Sequence, residues 1–122
     1  MTEANSRKVL NALFGYKTFK RYLANSTQAS AGLAYSYSGN GQIELISAAD
    51  LNKAIEVAER TQAYFALQDE SKGKFVQLYF FERIGWLQIM DKIGVSYGTI
   101  SYWRKDVIAI AKKIAVKNGF VS

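Results

Sequence analysis

Two amphipathic segments meet at the tripeptide Gly94-Val95-Ser96, and this junction restricts how the C-terminal half of the chain can fold. Glycine accepts the left-handed backbone conformation that ends many helices, and serine is a preferred N-cap of a helix that follows. Gly85 is placed as the N-cap of the short segment 86–93 before the junction. The sequence therefore predicts a short helix, a tight corner and a second helix that starts near Ser96.

Apolar residues recur at helical spacing on both sides of this corner. In the first segment the inward positions are Ile89, Met90 and Ile93, and the second segment carries the longer stripe Ile100, Trp103, Val107, Ile110, Ala111 and Ile114. Upstream, the very apolar run 75–81 predicts a supporting core helix that ends at the step 83–85. We interpret Trp86 and Trp103 as core residues.

Polar and cationic residues off this stripe cluster near the start of the second helix. They are Ser96, Tyr97, Gly98, Ser101, Tyr102, Arg104 and Lys105. A helix docked in the major groove offers its N-terminal residues to base edges, so these seven are the predicted DNA-binding residues. We expect Arg104 to suit guanine and the Ser96 hydroxyl to suit a phosphate oxygen. The spacing alone fits an ordinary helical hairpin equally well.

The N-terminal half predicts two further helices. One amphipathic pattern runs over 3–23. Residues 47–50 have the form of a capping box and precede a periodic run that predicts a helix over 48–68. Between them, residues 25–42 are rich in Ser, Gly, Asn and Ala and have the composition of a linker. Alternating apolar residues around Asn40-Gly41 also allow a short β-hairpin near 33–46. A further break in the helical pattern is predicted at Ser71-Lys72-Gly73.

The predicted fold class is therefore all-α, with a helical N-terminal part followed by a C-terminal helix-turn-helix. We divide the chain into residues 1–70, an oligomerisation or partner region, and residues 71–122, a DNA-binding region, within one compact unit. At 122 residues the chain has the length of a single domain, and it contains no proline, so every segment is free to be helical.

Composition restricts the chemistry. Cysteine and histidine are both absent, which excludes disulfides, thiolate nucleophiles, imidazole bases and the usual zinc sites. Asp50, Glu56 and Glu59 fit a metal site poorly, because acids along a helix usually form a solvated face. We predict no enzymatic activity, no cofactor and no metal.

Charge is distributed unevenly along the chain. Residues 1–30 hold 5 Lys or Arg and 1 acid, residues 31–70 hold 2 and 6, and residues 71–122 hold 9 and 3. Basic ends suit a polyanion such as DNA, because neutralising phosphates releases counterions. No apolar run is long enough to span a membrane, and the polar N-terminus is unlike a signal peptide, so we expect a cytoplasmic protein.

The run from Leu78-Tyr79-Phe80-Phe81 through Gly94-Val95-Ser96 to Thr99-Ile100 resembles region four of bacterial sigma factors and related phage regulators. Trp103-Arg104-Lys105, in the second helix of the predicted helix-turn-helix, is similar to the end of that helix in phage late-transcription activators of the ArpU/RinA type. Met90 and Gly85 depart from the family pattern, which has a small alanine and a Ser/Thr cap. The resemblance covers about the last third of the chain. It implies a phage or prophage regulator that acts in a bacterial host cell.

Three functions follow as hypotheses. The first is a sequence-specific regulator that binds duplex DNA as a homodimer, activates late phage genes and contacts RNA polymerase. The second is a phage DNA-packaging protein of the small terminase type, for which a ring of many subunits is expected. The third is an adaptor protein that uses the acidic central helix and binds no DNA. None of these hypotheses involves a membrane.

Overall fold

The computed structural model describes residues 1–24, 33–37 and 43–122 of the chain. These parts are mainly helical, and the predicted fold class is confirmed. The elements are α1 (Glu3–Phe14), α2 (Tyr16–Ala24), β1 (Leu33–Tyr37), β2 (Ile43–Ser47), α3 (Ala48–Gln68), α4 (Glu70–Phe75) with a π-helical continuation (Val76–Phe81), α5 (Trp86–Ile93) and α6 (Tyr97–Lys117).

The hairpin that the alternating residues allowed is present as β1 and β2. The two strands pair antiparallel, with Leu33 opposite Ser47 and Tyr37 opposite Ile43. The Asn40-Gly41 pair, around which this hairpin was predicted, lies outside the described residues. The helix predicted over 48–68 is confirmed by α3, which starts directly after β2.

The N-terminal amphipathic stretch is two helices and not the single helix predicted from its periodicity. Gly15 separates α1 from α2 with φ −89° and ψ 2°. A Cβ at this position would lie 2.6 Å from the Asn11 carbonyl oxygen and 3.0 Å from the Phe19 ring. Glycine lets the buried Phe19 pack directly against the backbone. The break between α1 and α2 therefore depends on a packing contact, which the spacing of apolar residues does not reveal.

The connection between α3 and α4 also differs from the prediction. The chain breaks at Asp69 (φ −156°, ψ 113°), whose carboxylate accepts hydrogen bonds from the Ser71 and Lys72 amides at 2.9 and 3.4 Å. The predicted break at Ser71–Gly73 is thus the first turn of α4. A Cβ on Gly73 would lie 2.6 Å from Ala66 Cα, so this glycine allows close packing of α4 on α3.

Helix α3 is central and contacts α1, α2, α4 and α6. Buried apolar residues from both halves of the chain form one cluster, which includes Val9, Leu13 and Phe19 from the N-terminal helices, Leu51, Val57 and Phe65 from α3, Phe75 and Phe80 from the α4 segment, and Ile89, Ile100 and Val107 from α5 and α6. Because these residues share one core, α5 and α6 are fixed against the N-terminal helices.

A hydrogen bond between Tyr16 and Glu59 joins α2 to α3 at 2.7 Å. Burial, followed by the hydrogen bond and the charge of Glu59, raises the pKa of Tyr16 from 10.0 to about 12. A raised pKa means that the protonated tyrosine stabilises the fold below pH 10, and that this contribution is lost as the pH rises to 12.

We therefore expect Tyr16→Phe to lower the free energy of unfolding by about 1 kcal/mol at neutral pH, the typical net value of one hydrogen bond. The difference from wild type should shrink between pH 10 and pH 12, as measured by chemical denaturation. Tyr102→Phe, at an exposed tyrosine, is the control. A difference for Tyr16→Phe that stays constant over this pH range would contradict the assignment.

Candidate nucleic-acid interface

The corner between α5 and α6 has the predicted geometry. Gly94 adopts the left-handed conformation (φ 67°, ψ 38°), and its amide donates to the Met90 carbonyl at 2.9 Å. Ser96 is extended (φ −79°, ψ 162°), and its Oγ accepts from the Thr99 amide at 3.2 Å. Each residue fulfils the capping role that its chemistry predicts, so the two helices meet at a short, fully capped turn.

Apolar contacts on both sides hold this corner against the core. Ile89 from α5 and Ile100 from α6 are buried, and Val95 between them is half-buried and packs on the same cluster. Further along α6 the Trp103 ring lies 5.8 Å from Phe75 with an edge-to-face geometry, as its interpretation as a core residue requires. The inward face of both helices is thus occupied, and the opposite face is left to solvent.

Five of the seven predicted site residues are exposed: Ser96, Tyr97, Gly98, Tyr102 and Lys105. We call these five residues the exposed end of α6. Tyr97 is 56% exposed and Tyr102 is 64% exposed, so neither ring is part of the core. Gly98 has only the Ser96 hydroxyl within 4 Å of a hypothetical Cβ, so the backbone there is open to a close approach from outside.

The other two predicted site residues are half-buried, and Arg104 is engaged within the protein. Its Nε donates a hydrogen bond to the Tyr79 hydroxyl at 3.1 Å, which ties α6 to the π-helical segment. Reaching a guanine with two parallel hydrogen bonds would require this side chain to give up that contact. The structure therefore does not group Arg104 with the exposed end of α6, and Ser101 contributes to it only in part.

Trp86 was predicted to be a core residue, and this prediction is wrong. The side chain is 46% exposed, and its ring packs edge-to-face on Tyr97 at a centroid distance of 4.8 Å. The contact joins the first residue of α5 to the first residue of α6 across the corner. Trp86 is therefore a candidate site residue that sequence reasoning missed, because an aromatic residue in a short helix is more often buried than exposed.

Cations dominate the charge around this end of the molecule. Lys92 and Lys105 are exposed, and neither takes part in an ion pair with the residues that the structure describes. The acids Asp106 and Glu82 are paired with Lys72 and Lys17, respectively. Because these two carboxylates are neutralised by their lysine partners, the net charge near the corner is positive. The main opposing charge there is the exposed Asp91.

The acids of α3 are engaged with cations of the protein. Glu59 lies 3.5 Å from Lys20, Glu56 lies 3.0 Å from Arg60, and Asp50 lies 3.4 Å from Lys8. Within residues 1–24, 33–37 and 43–122 no group of three or more acids is arranged to hold a metal ion. These carboxylates therefore belong to ion pairs between and along helices.

Comparisons with protein-family models, with curated proteins and with solved structures give no match to this chain. Among the described helices, none has the combination of length and apolar character that crossing a membrane requires.

Proposed function

We propose that this protein binds duplex DNA in a sequence-specific manner and regulates transcription, with α5, the corner 94–96 and α6 as its reading unit. One observation carries the proposal: the amino-terminal end of α6 projects from a capped corner whose inner side is anchored by Ile89 and Ile100. A reading helix needs both properties, a rigid support and an uncovered first turn.

The charges favour a phosphate backbone beside this helix. Lys105 lies two turns into α6, and Lys92 lies in the last turn of α5, so each of the two helices that meet at the corner carries an exposed lysine. The positive end of the α6 dipole adds to their field. Contacts of this kind position a protein on duplex DNA and make the affinity fall as the salt concentration rises.

The side chains at the exposed end of α6 favour thymine over guanine as the base that is read. Arginine forks are the commonest readers of guanine, and the only arginine of α6, Arg104, donates to Tyr79 instead. The exposed Tyr97 and Tyr102 offer apolar ring surface, which suits the C5-methyl group that thymine presents in the major groove. Their hydroxyls can in addition donate or accept a hydrogen bond.

Selection of bound sequences from random duplex DNA at two salt concentrations tests the proposed function. We expect enrichment of a defined sequence, rich in T·A pairs, at about 50 mM and about 200 mM salt, although the total binding falls steeply between the two. Weak binding that vanishes with salt and enriches nothing would mean that the basic charge alone attracts DNA. Absence of binding at both concentrations would favour the adaptor hypothesis.

Removal of the thymine methyl group tests the base preference separately. Replacing thymine by uracil at the enriched positions should weaken binding about fourfold per contacted base, the effect of one buried methyl group of about 0.8 kcal/mol. The same replacement at positions that were not enriched is the control. Equal affinities for both duplexes would contradict the role of the tyrosine rings and leave duplex binding itself intact.

The finer assignment is a phage or prophage late-gene activator that acts as a homodimer, and it is supported by the resemblance of residues 78–105 to such regulators. One short helix reads few base pairs, so two half-sites about 34 Å apart are expected in the selected sequence. Sedimentation of the protein with this duplex measures the stoichiometry. Two copies per site support the regulator, whereas a ring of many copies supports the packaging protein.

A further inference from the structure

A second exposed surface lies at the other end of α6 and has a different character. It is an open groove of about 850 Å³ between α3 and the last two turns of α6. We call it the α3–α6 groove, and its lining residues are Met1, Arg60, Tyr64, Ile110, Lys112, Lys113, Ile114, Val116 and Lys117. The groove shares no residue with the exposed end of α6, so an inference from it does not rest on DNA binding.

Apolar side chains form much of the lining and remain accessible. Tyr64 is 41% exposed and Val116 is 49% exposed, while Ile110 and Ile114, which also line the groove, are half-buried. Apolar side chains gathered in one concave surface and rimmed by charge are typical of a binding site for another molecule.

Three lysines surround this apolar surface without an acid to balance them. Lys112, Lys113 and Lys117 take part in no ion pair with the described part of the chain, whereas Arg60 is paired with Glu56 at 3.0 Å. Lysines near a helix C-terminus are favoured by the helix dipole, which explains their presence in α6. The dipole does not explain why they border exposed Tyr64 and Val116.

We propose that the α3–α6 groove binds an acidic amphipathic helix of a partner protein. The apolar face of such a helix would cover Tyr64, Ile114 and Val116, and its carboxylates would pair with the lysines of the rim. From Ile110 to Lys117 the groove follows α6 for about 10 Å, which corresponds to two turns of a bound helix. Anchors at positions i, i+3, i+4 and i+7 fit this length.

Two other occupants fit the groove less well. A symmetric second copy of this chain would bring the same unpaired lysines against Lys112, Lys113 and Lys117, and like charges across an interface are strongly unfavourable. A small anionic amphiphile needs a site that encloses most of its surface, whereas the residues of this groove are about half exposed. A helix of a partner protein does not need to be enclosed by the groove, because the rest of that protein can shield its outer side from water.

A designed peptide provides the test with the full-length chain. The probe is a peptide long enough for three helical turns, with leucines at positions i, i+3, i+4 and i+7 and glutamates elsewhere, and it forms its helix on binding. One control keeps the leucines and replaces the glutamates by lysines, and another scrambles the order. We expect the acidic peptide to bind at least about tenfold more tightly than either control, as measured by fluorescence anisotropy, because charge pairing and apolar register act together.

Site variants then locate the binding. Lys113→Gln with Lys117→Gln, and separately Val116→Asp, should each weaken peptide binding about tenfold or more, and all three positions are exposed, so folding should be unaffected. Backbone amide shifts on peptide addition should centre on 110–117. Equal binding of the scrambled peptide, shifts centred elsewhere, or no binding at millimolar peptide would overturn the proposal.

The same lysine variant distinguishes a peptide groove from a second DNA contact. In the duplex-binding assay, Lys113→Gln with Lys117→Gln should change the affinity by less than about threefold, the effect of a small change in net charge. A loss as large as that of a direct contact at Lys105, together with unchanged peptide binding, would assign the rim to phosphates and refute the proposal.

Discussion

Ile100→Asp is expected to unfold the protein at room temperature. Ile100 is 3% exposed and belongs to the core cluster that holds α6 against the rest of the chain. An aspartate there must bury an unpaired charge, which costs several kcal/mol, and small domains are stable by only about 5–15 kcal/mol in total. Circular dichroism during thermal unfolding measures the effect as loss of the cooperative transition.

Ala109→Asp is the matched control on the same helix. Ala109 is exposed, so the same charge remains in water and should lower the free energy of unfolding by less than about 1 kcal/mol. A melting curve of Ile100→Asp that coincides with the control would show that α6 is not anchored at its first turn. The exposed end of α6 would then lack the rigid support on which the proposed function depends.

The double variant Tyr102→Ala with Lys105→Ala should weaken specific duplex binding by about 2–4 kcal/mol for each bound copy. The estimate combines a base contact worth about 1–3 kcal/mol with one phosphate contact. Loss of the lysine should also reduce the slope of log affinity against log salt by about 1 for each bound copy, which separates its role from that of the tyrosine. Titration of the selected duplex at several salt concentrations measures both quantities.

Arg21→Ala is the control for this experiment, because it removes an exposed positive charge from α2 and leaves the corner unchanged. Its affinity for duplex DNA should stay close to that of wild type. Arg104→Ala is unsuitable as a simple contact variant, since it also removes the hydrogen bond to Tyr79. Unchanged binding by the Tyr102/Lys105 double variant would place the DNA-binding surface elsewhere on the protein.

Much of the reading unit was predictable from sequence because its determinants are local. The left-handed Gly94, the capping Ser96 and the apolar spacing around Ile100 each follow from the preferences of one residue or one helical turn. Helix α3 was predicted over its full length for the same reason. Exposed positions near the start of α6 followed from the same spacing, since an inward stripe determines which residues face outward.

The remaining features depend on contacts between distant segments. Arg104 is held by Tyr79, 25 residues earlier, so no spacing rule within α6 reveals that its side chain is engaged. The two glycines depend on packing between neighbouring elements: Gly73 lets α4 approach Ala66 of α3, and Gly15 leaves room for the Asn11 carbonyl oxygen and the Phe19 ring. Trp86 was misjudged because hydrophobicity predicts burial on average and α5 is too short to bury every apolar residue.

The α3–α6 groove was not predictable from sequence for a similar reason. Its two walls come from residues 60–64 and 110–117, and only the fold brings them together. The lysines of the rim form a basic cluster that the sequence shows, but the helix dipole already explains lysines near the C-terminus of a helix. The apolar residues on the two sides of the groove form one surface only when α3 packs against α6.

Helix α6 is 21 residues long and carries both proposed surfaces, one at each end. Tyr102 and Lys113 are separated by 11 residues, or about 16 Å along a stiff helical rod. A duplex at one end of α6 and an acidic helix at the other would therefore be held at a fixed spacing and orientation. A partner that carries the acidic helix and also contacts the same duplex would then bind through two linked sites, and its effective concentration at the α3–α6 groove would rise without any change in the shape of the protein.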